Sequence, residues 1–403
     1  MATVASRLPR THAVAESRPL NIPWYLVAVL FGATSIIIGL QWDISWHKSI
    51  GRDTFWSPPH MAIYLGGVVA GLSAAFVIFK TTFAGTAEER ASGVSVWGFR
   101  GPLGAYFTSW GAVAMVVSAP LDDWWHDTYG LDVKILSPPH ALLAFGIFAI
   151  QLGAIVTALA LQNQGERDLV EGDEHGARRQ KWLRRMFIYA AGLLLTNASV
   201  LVLEFTTRGL MHSSIFYQVA CLLVPIAFIK LQRAAKVPFP ATKVAAIYTL
   251  SILSLVWILP LFPAEPKLGP VLNPVTSLSP PQFPLLYILP ALAIDLLYRR
   301  FNGKVGDWTL ALLAGLTFFA VILPVQWSFA YFLMSPYARN WFFAAHYFPY
   351  FFSEDAPARQ YRFYAYDKTT AGLIRGLGIA LALGIASSRV GLWWGDWMRK
   401  VQR

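Results

Sequence analysis

Ten apolar runs separated by short polar breaks cover most of the chain, at about 22–42, 60–79, 102–121, 140–162, 186–203, 213–230, 243–262, 282–298, 308–334 and 369–388. Each approaches the roughly 20 residues that an α-helix needs to cross about 30 Å of hydrocarbon. The pattern predicts an all-α fold, a polytopic integral membrane helix bundle of about ten transmembrane helices. Two of the polar breaks read alike. Gln41 to Gly66 reads QWDISWHKSIGRDTFWSPPHMAIYLG, and Leu121 to Gly146 reads LDDWWHDTYGLDVKILSPPHALLAFG. One gap aligns Asp43 with Asp122, Trp46 with Trp125, His47 with His126, Gly51 with Gly130, Asp53 with Asp132, and Ser57-Pro58-Pro59-His60 with Ser137-Pro138-Pro139-His140. The first four helices are therefore expected as two duplicated hairpins.

Composition agrees with a membrane protein. Of 403 residues, 56% are hydrophobic and only 14% charged, and the mean hydropathy of +0.47 lies outside the soluble globular range. The segment 1–21 carries Arg7, Arg10 and Arg18. The apolar run behind it is too long for a signal-peptide core and lacks a small-x-small cleavage site, so it reads as a cytoplasmic leader followed by a retained first helix. Alternating the connections between two sides divides the 33 Lys and Arg as 10 against 23. The positive-inside rule then places both termini in the cytoplasm and both polar motifs on the external side, the periplasmic face of a bacterial inner membrane.

The net charge of +11 resides in short juxtamembrane segments such as Arg178-Arg179-Gln180-Lys181 and Arg184-Arg185. Such segments suit anionic headgroups of the lipid bilayer rather than nucleic acid. Cys221 is the sole cysteine, which excludes disulfides within the chain and CxxC chemistry.

Past the duplicated region, 22–165, the repeat fades. Helices in 186–298 are expected as degenerate hairpins, with Ser279-Pro280-Pro281-Gln282 placing Gln where His stood, and Glu204, Arg208 and His212 at another helix end. Residues 299–403 supply the ninth and tenth helices and a long external loop, Pro336 to Lys368, whose aromatic block WFFAAHYFPYFF suits an interfacial belt or a segment lying on the membrane surface. Thr81–Gly101 and Asn163–Arg185 are expected as cytoplasmic loops, the second being the best domain boundary.

The chemistry lies in the repeated motif. If the first helix runs a turn past its apolar stretch, Asp43 and His47 share one face. Ser57 suits the N-cap and Pro58 the first helical position, which puts His60 in the first turn of the next helix. Asp43, His47 and His60 then converge, as do Asp122, His126 and His140. Two imidazoles and a carboxylate suit copper, iron or zinc and leave positions open for water, dioxygen or substrate. Spacing selects neither the metal nor between one binuclear site and two mononuclear ones. Asp53 and Asp132 are candidate fourth ligands or partners that set imidazole tautomers, and Asp123 is a substitute for Asp122. A plainer alternative is a hydrogen-bonded Asp–His pair at a helix end. The repeat weighs against it, because packing alone would preferentially retain apolar positions, and here the acids and histidines recur.

At these residues the chain resembles the C subunit of the copper membrane monooxygenases, the family of particulate methane monooxygenase and ammonia monooxygenase. Asp43-Ile44-Ser45-Trp46-His47, Arg52-Asp53-Thr54 and Pro58-Pro59-His60 follow the family's first copper motif, D-x-S-W-H, R-D-T and P-S-H. His126 and His140 match the spacing of its second site, where Asp122 stands in place of an Asn. The resemblance covers roughly the first 165 residues. It implies copper at Asp43, His47 and His60, a second copper at Asp122, His126 and His140, and A- and B-type partner subunits; a homo-oligomer is a separate expectation.

The resulting expectation is a copper-dependent membrane monooxygenase, an oxidoreductase, or a subunit of one, oxidising a small apolar or neutral substrate with dioxygen. Its alternative is a non-catalytic membrane subunit or metal-handling protein that retains the metal sites. The mid-span regions of the first four helices are almost free of ionisable groups, which argues against a transporter.

Overall fold

In the computed structural model, residues 23–51, 54–130, 137–166, 173–353 and 361–402 are described. Each apolar run falls on a helix. In chain order these are α1 (Trp24–Ser49), α2 (Pro58–Phe79), the short α3 (Ala87–Ser92), α4 (Leu103–Tyr129), α5 (Pro138–Gly165), α6 (Glu174–Leu201), α7 (Ser214–Ala234), α8 (Pro240–Ile258), α9 (Ile288–Phe301), α10 (Asp307–Met334) and α11 (Thr370–Met398). Seven helices among the described residues are long and apolar enough to cross a membrane: α1, α2 with its continuation to Ala84, α5, α7, α8 with its continuation to Leu261, α10 and α11.

The other three runs fall short for different reasons. α9 has 14 residues, about 21 Å at 1.5 Å per residue, because the first part of the expected 282–298 helix is irregular chain up to Tyr287. α4 is 27 residues long but mixes Thr, Ser, Tyr and Trp into its apolar stretch. α6 opens on the basic segment that had been expected as a loop. Those three turns are helical because Gln180, Leu183 and Phe187 recur at helical spacing and are buried. Arg184 meanwhile reaches Glu166 at 3.0 Å. One buried core of side chains runs from Leu26 in α1 to Met398 in α11 and is continuous across the boundary expected at 163–185. The expected loop 81–101 is likewise structured, with a capping box of Thr86 and Glu89 starting α3 and a β-hairpin of Val94–Val96 and Phe99–Gly101. Its two turn residues, Trp97 and Gly98, both have positive φ, as a tight type I′ connection demands.

α1 packs along α2, and α4 along α5. The two crossings use the same device. A Cβ on Gly32 would stand 2.5 Å from the Gly66 carbonyl oxygen, and one on Gly111 2.6 Å from that of Gly146. Each helix pair touches backbone to backbone there, so a side chain would force the hairpin open. We predict that Gly146→Val lowers stability by about 1–3 kcal/mol, the usual cost of overpacking, read as a lower thermal midpoint. Gly378→Ala in α11, where nothing lies within 4 Å, should leave it unchanged. Equal midpoints for the two variants would refute the close approach.

The aromatic loop after α10 is only partly at the surface. Tyr337 and Trp341 are exposed, but Phe348 and Tyr350 are buried, and Phe343 packs on Phe283, Phe329 and Phe332. The block expected as an interfacial belt or a segment lying on the membrane surface is thus partly packed inside the protein. The loop folds back because it meets the end of α1: Tyr350 N donates to the Lys48 carbonyl at 3.0 Å.

Candidate metal centre

Two helix ends and two helix beginnings position the ligands. α1 and α4 both run past their apolar stretches and then stop at a glycine in the left-handed region, Gly51 at φ 96° and Gly130 at φ 85°. That conformation suits glycine because it has no Cβ. Asp43 and His47 occupy the last two turns of α1, and Asp122 and His126 those of α4. The prolines after Ser57 and Ser137 start α2 and α5, so His60 and His140 each fall in a first turn. Ser137 acts as expected, its Oγ accepting from His140 N at 3.3 Å. Ser57 does not: its Oγ accepts from Thr54 N at 2.7 Å, capping the turn before the helix instead.

In the second hairpin Asp122 stands between the imidazoles. Oδ2 lies 3.4 Å from His126 Nε2 and Oδ1 3.4 Å from His140 Nε2. Ligand atoms of all three lie within 4.8 Å of one another, the closure found in this hairpin among the described residues. Donors held at about 2.0–2.1 Å around a tetrahedral ion are roughly 3.3–3.4 Å apart, so small side-chain adjustments would bring the set onto one ion. His126 Nδ1 lies 3.3 Å from the Gly130 carbonyl. A carbonyl can only accept, so this contact calls for a proton on Nδ1, which in the neutral ring would leave the Nε2 lone pair for an ion.

The first hairpin has the same layout in looser form. Asp43 Oδ2 is 3.8 Å from His47 Nε2 and Oδ1 is 3.3 Å from His60 Nε2. His47 is half exposed, whereas the Asp43 and His60 side chains are each 18% exposed. In both hairpins the carboxylate Oδ1 is buried and accepts no hydrogen bond among the described residues. Each of these oxygens faces an imidazole Nε2 at 3.3–3.4 Å, and a cation held between the two would satisfy both when the imidazole is neutral. The donor set and these oxygens fit a transition metal.

The remaining candidates separate from the triads. Asp53 and Asp132 lie outside the described residues. Asp123 is exposed and forms no ion pair with either imidazole among the described residues, whereas Asp122 contacts both. Gln282 is not a ligand-like echo of His60, since its Oε1 accepts from Arg208 N at 2.8 Å. His212 is a packed residue, stacked between Trp327 at 4.2 Å and Phe363 at 3.7 Å. Its Nε2 donates to the Trp327 carbonyl at 2.9 Å, and burial pulls its pKa below the ordinary histidine value against that hydrogen bond.

Sequence reasoning missed the residues that brace the first site. Ser279 N donates to Ser49 Oγ at 2.7 Å, and Lys267 N to the Ile50 carbonyl at 2.7 Å. Trp42 and Trp46 pack on a separate buried cluster of Ile50, Leu255, Leu259, Ala264 and Leu278. The end of α1 is thus held by the chain after α8 and by the loop after α10. The Ser279-Pro280-Pro281 signal was visible, but its role as a brace was not. The glycine at the end of each motif was the available clue to His126, because its carbonyl is the acceptor that orients the ring.

No protein-family model matches the chain, and no curated protein or solved structure matches it either.

Proposed function

We propose that this chain is a copper-binding integral membrane protein, similar in role to the copper-site subunit of a membrane monooxygenase. The observation that carries the reading is the convergence of Asp122, His126 and His140 within 4.8 Å, on a motif that recurs at Asp43, His47 and His60. The near-identical glycine contacts of α1–α2 and α4–α5 support a duplicated hairpin. Copper bound there would supply one-electron and dioxygen chemistry, with a small apolar or neutral substrate reaching it from the bilayer. Asp122 would hold the ion between two imidazoles, Gly130 would keep His126 in the ligating tautomer, and Ser137 would fix the helix turn that carries His140. Zinc and iron fit the same donors.

The test is metal quantification on protein purified without chelator from cells supplied with copper, iron and zinc, followed by assay for dioxygen-dependent oxidation of small alkanes, alkenes or ammonia alongside native partner subunits. Absence of any stoichiometric transition metal would sink the reading. A second reading, a non-catalytic metal-handling subunit, is favoured by the exposure of His47 at 49% and His140 at 35%, which suits ion exchange with solvent. Bound copper without oxidation would select it.

The same proposal has ten crossings, both termini cytoplasmic and both triads external. Its support is the basic bias of the connections, and the buried Cys221 leaves a low background for labelling. A membrane-impermeant maleimide is expected to label Thr128→Cys in intact spheroplasts and Lys304→Cys only after permeabilisation. The reverse pattern would invert the topology.

A further inference from the structure

The apolar centre of α11 is bracketed by two arginines, Arg375 and Arg389, with no charged residue between them. At 1.5 Å per residue their backbone positions are about 21 Å apart along the axis, short of the roughly 30 Å of hydrocarbon that a spanning helix crosses. Each guanidinium must therefore reach outward to meet the headgroups.

Arg389 does so at the start of α10. Its guanidinium carbon lies 5.2 Å from the centre of the Trp308 ring, and Trp308 is the second residue of α10. Trp308 is exposed, as is Trp393, which follows Arg389 by one turn on the same face of α11. From Trp308 an exposed apolar stripe runs along α10 at four-residue spacing through Leu312 and Leu316. A cation is thus set between indoles at the head of an apolar track.

The nearest carboxylates on these two helices are engaged elsewhere. Asp307 and Asp396 both pair with Arg233, and Asp396 also pairs with Arg399. Arg389 Nε is buried and donates to no acceptor among the described residues. The Trp308 ring attracts the cation but supplies no oxygen to its N–H groups.

We propose that Arg389, Trp308 and Trp393 form a site for one anionic phospholipid, in the leaflet beside the C-terminal end of α11. The planar guanidinium matches the paired oxygens of the lipid phosphate, and the indoles suit the interface where glycerol and headgroup meet. Leu312 and Leu316 would lie along an acyl chain, which a free phosphate lacks. A zwitterionic lipid would bring an ammonium to a face whose carboxylates Asp307 and Asp396 are already paired.

The experiment uses the full chain in an uncharged detergent, with bound lipid counted by native mass spectrometry as phosphatidylglycerol or phosphatidylcholine is titrated. Wild type is expected to bind its first phosphatidylglycerol at least tenfold more tightly than phosphatidylcholine. Arg389→Gln should reduce that preference at least fivefold. Lys304→Gln, the same charge change in the exposed connection between α9 and α10, should keep it, and Arg389→Lys, which retains the charge without the fork, should fall between. A second readout is local: phosphatidylglycerol brominated on its acyl chains quenches nearby indoles, and Trp308→Phe should reduce the quenched fraction. Bound metal per chain should be the same in all these variants, which separates this site from the triads. An unchanged preference in Arg389→Gln would reduce the Arg389–Trp308 pair to packing, and an equal loss in Lys304→Gln would assign the preference to net charge. An unchanged quenched fraction in Trp308→Phe would place the lipid elsewhere, and binding of inorganic phosphate in place of the lipid would make the ligand the free anion. Any of these four outcomes overturns the proposal.

Discussion

His126→Ala is expected to empty the second triad while leaving the first loaded, so that bound copper falls by about half and the affinity of the altered site drops at least 100-fold. The magnitude follows from ligand count. Loss of partners that merely orient a ligand already costs about 10- to 100-fold in metal affinity, and His126 is itself one of the three donors found within 4.8 Å among the described residues. Its removal also strands Asp122 Oδ2, which lies 3.4 Å from its Nε2. Dialysis against a chelator of known affinity, with metal counted per chain, reads the effect. Loss of both ions together would mean one shared binuclear centre, and unchanged stoichiometry would remove the second triad from consideration.

Asp122→Asn separates charge from geometry. The amide keeps one oxygen near the imidazoles but removes the negative charge that Asp122 shares between His126 and His140 at 3.4 Å on each side. Hard and more highly charged ions depend on that charge, whereas a softer monovalent copper ion relies on the imidazoles. The variant is therefore expected to lose at least tenfold in affinity for divalent copper and zinc while keeping most of its affinity for cuprous ion. Competition titrations under oxidising and reducing conditions measure the two arms. An equal loss in both would show that the carboxylate acts through geometry alone.

Much of the site was legible because it depends on short-range rules. Asp43 and His47, and Asp122 and His126, are four apart on one helix face, and a proline pair starts each following helix one residue or two before a histidine. Each rule involves neighbours along the chain, so residue order suffices. Ser57 shows where this stops. Its place at the start of α2 followed from local sequence, but its hydroxyl turned to Thr54 N, a choice made by the path of the preceding turn.

The helices were legible for a related reason, since apolar runs of bilayer length have few alternatives. The failures came where composition and length conflict. The segment 163–185 carries many charges and reads as a loop, yet Gln180 and Leu183 pack inward while the arginines reach outward. The helix expected at 282–298 lost its first turns because that stretch serves as packing: Gln282 holds Arg208 and Leu285 N donates to the Tyr248 hydroxyl at 3.1 Å.

The sequence by itself determined the helical membrane-type architecture, the two sets of three candidate ligands and the side of each helix they occupy, because hydrophobic length and helical spacing act between near neighbours. Only the tertiary structure decided that the second triad closes more tightly than the first, that Ser279 and Tyr350 brace the end of α1, and that Arg208 and Arg339 meet over Tyr361. Those contacts join segments far apart in the chain, Ser49 and Ser279 being 230 residues apart. Their formation depends on how the helices pack and how the long connections fold back, which no local pattern of residues encodes.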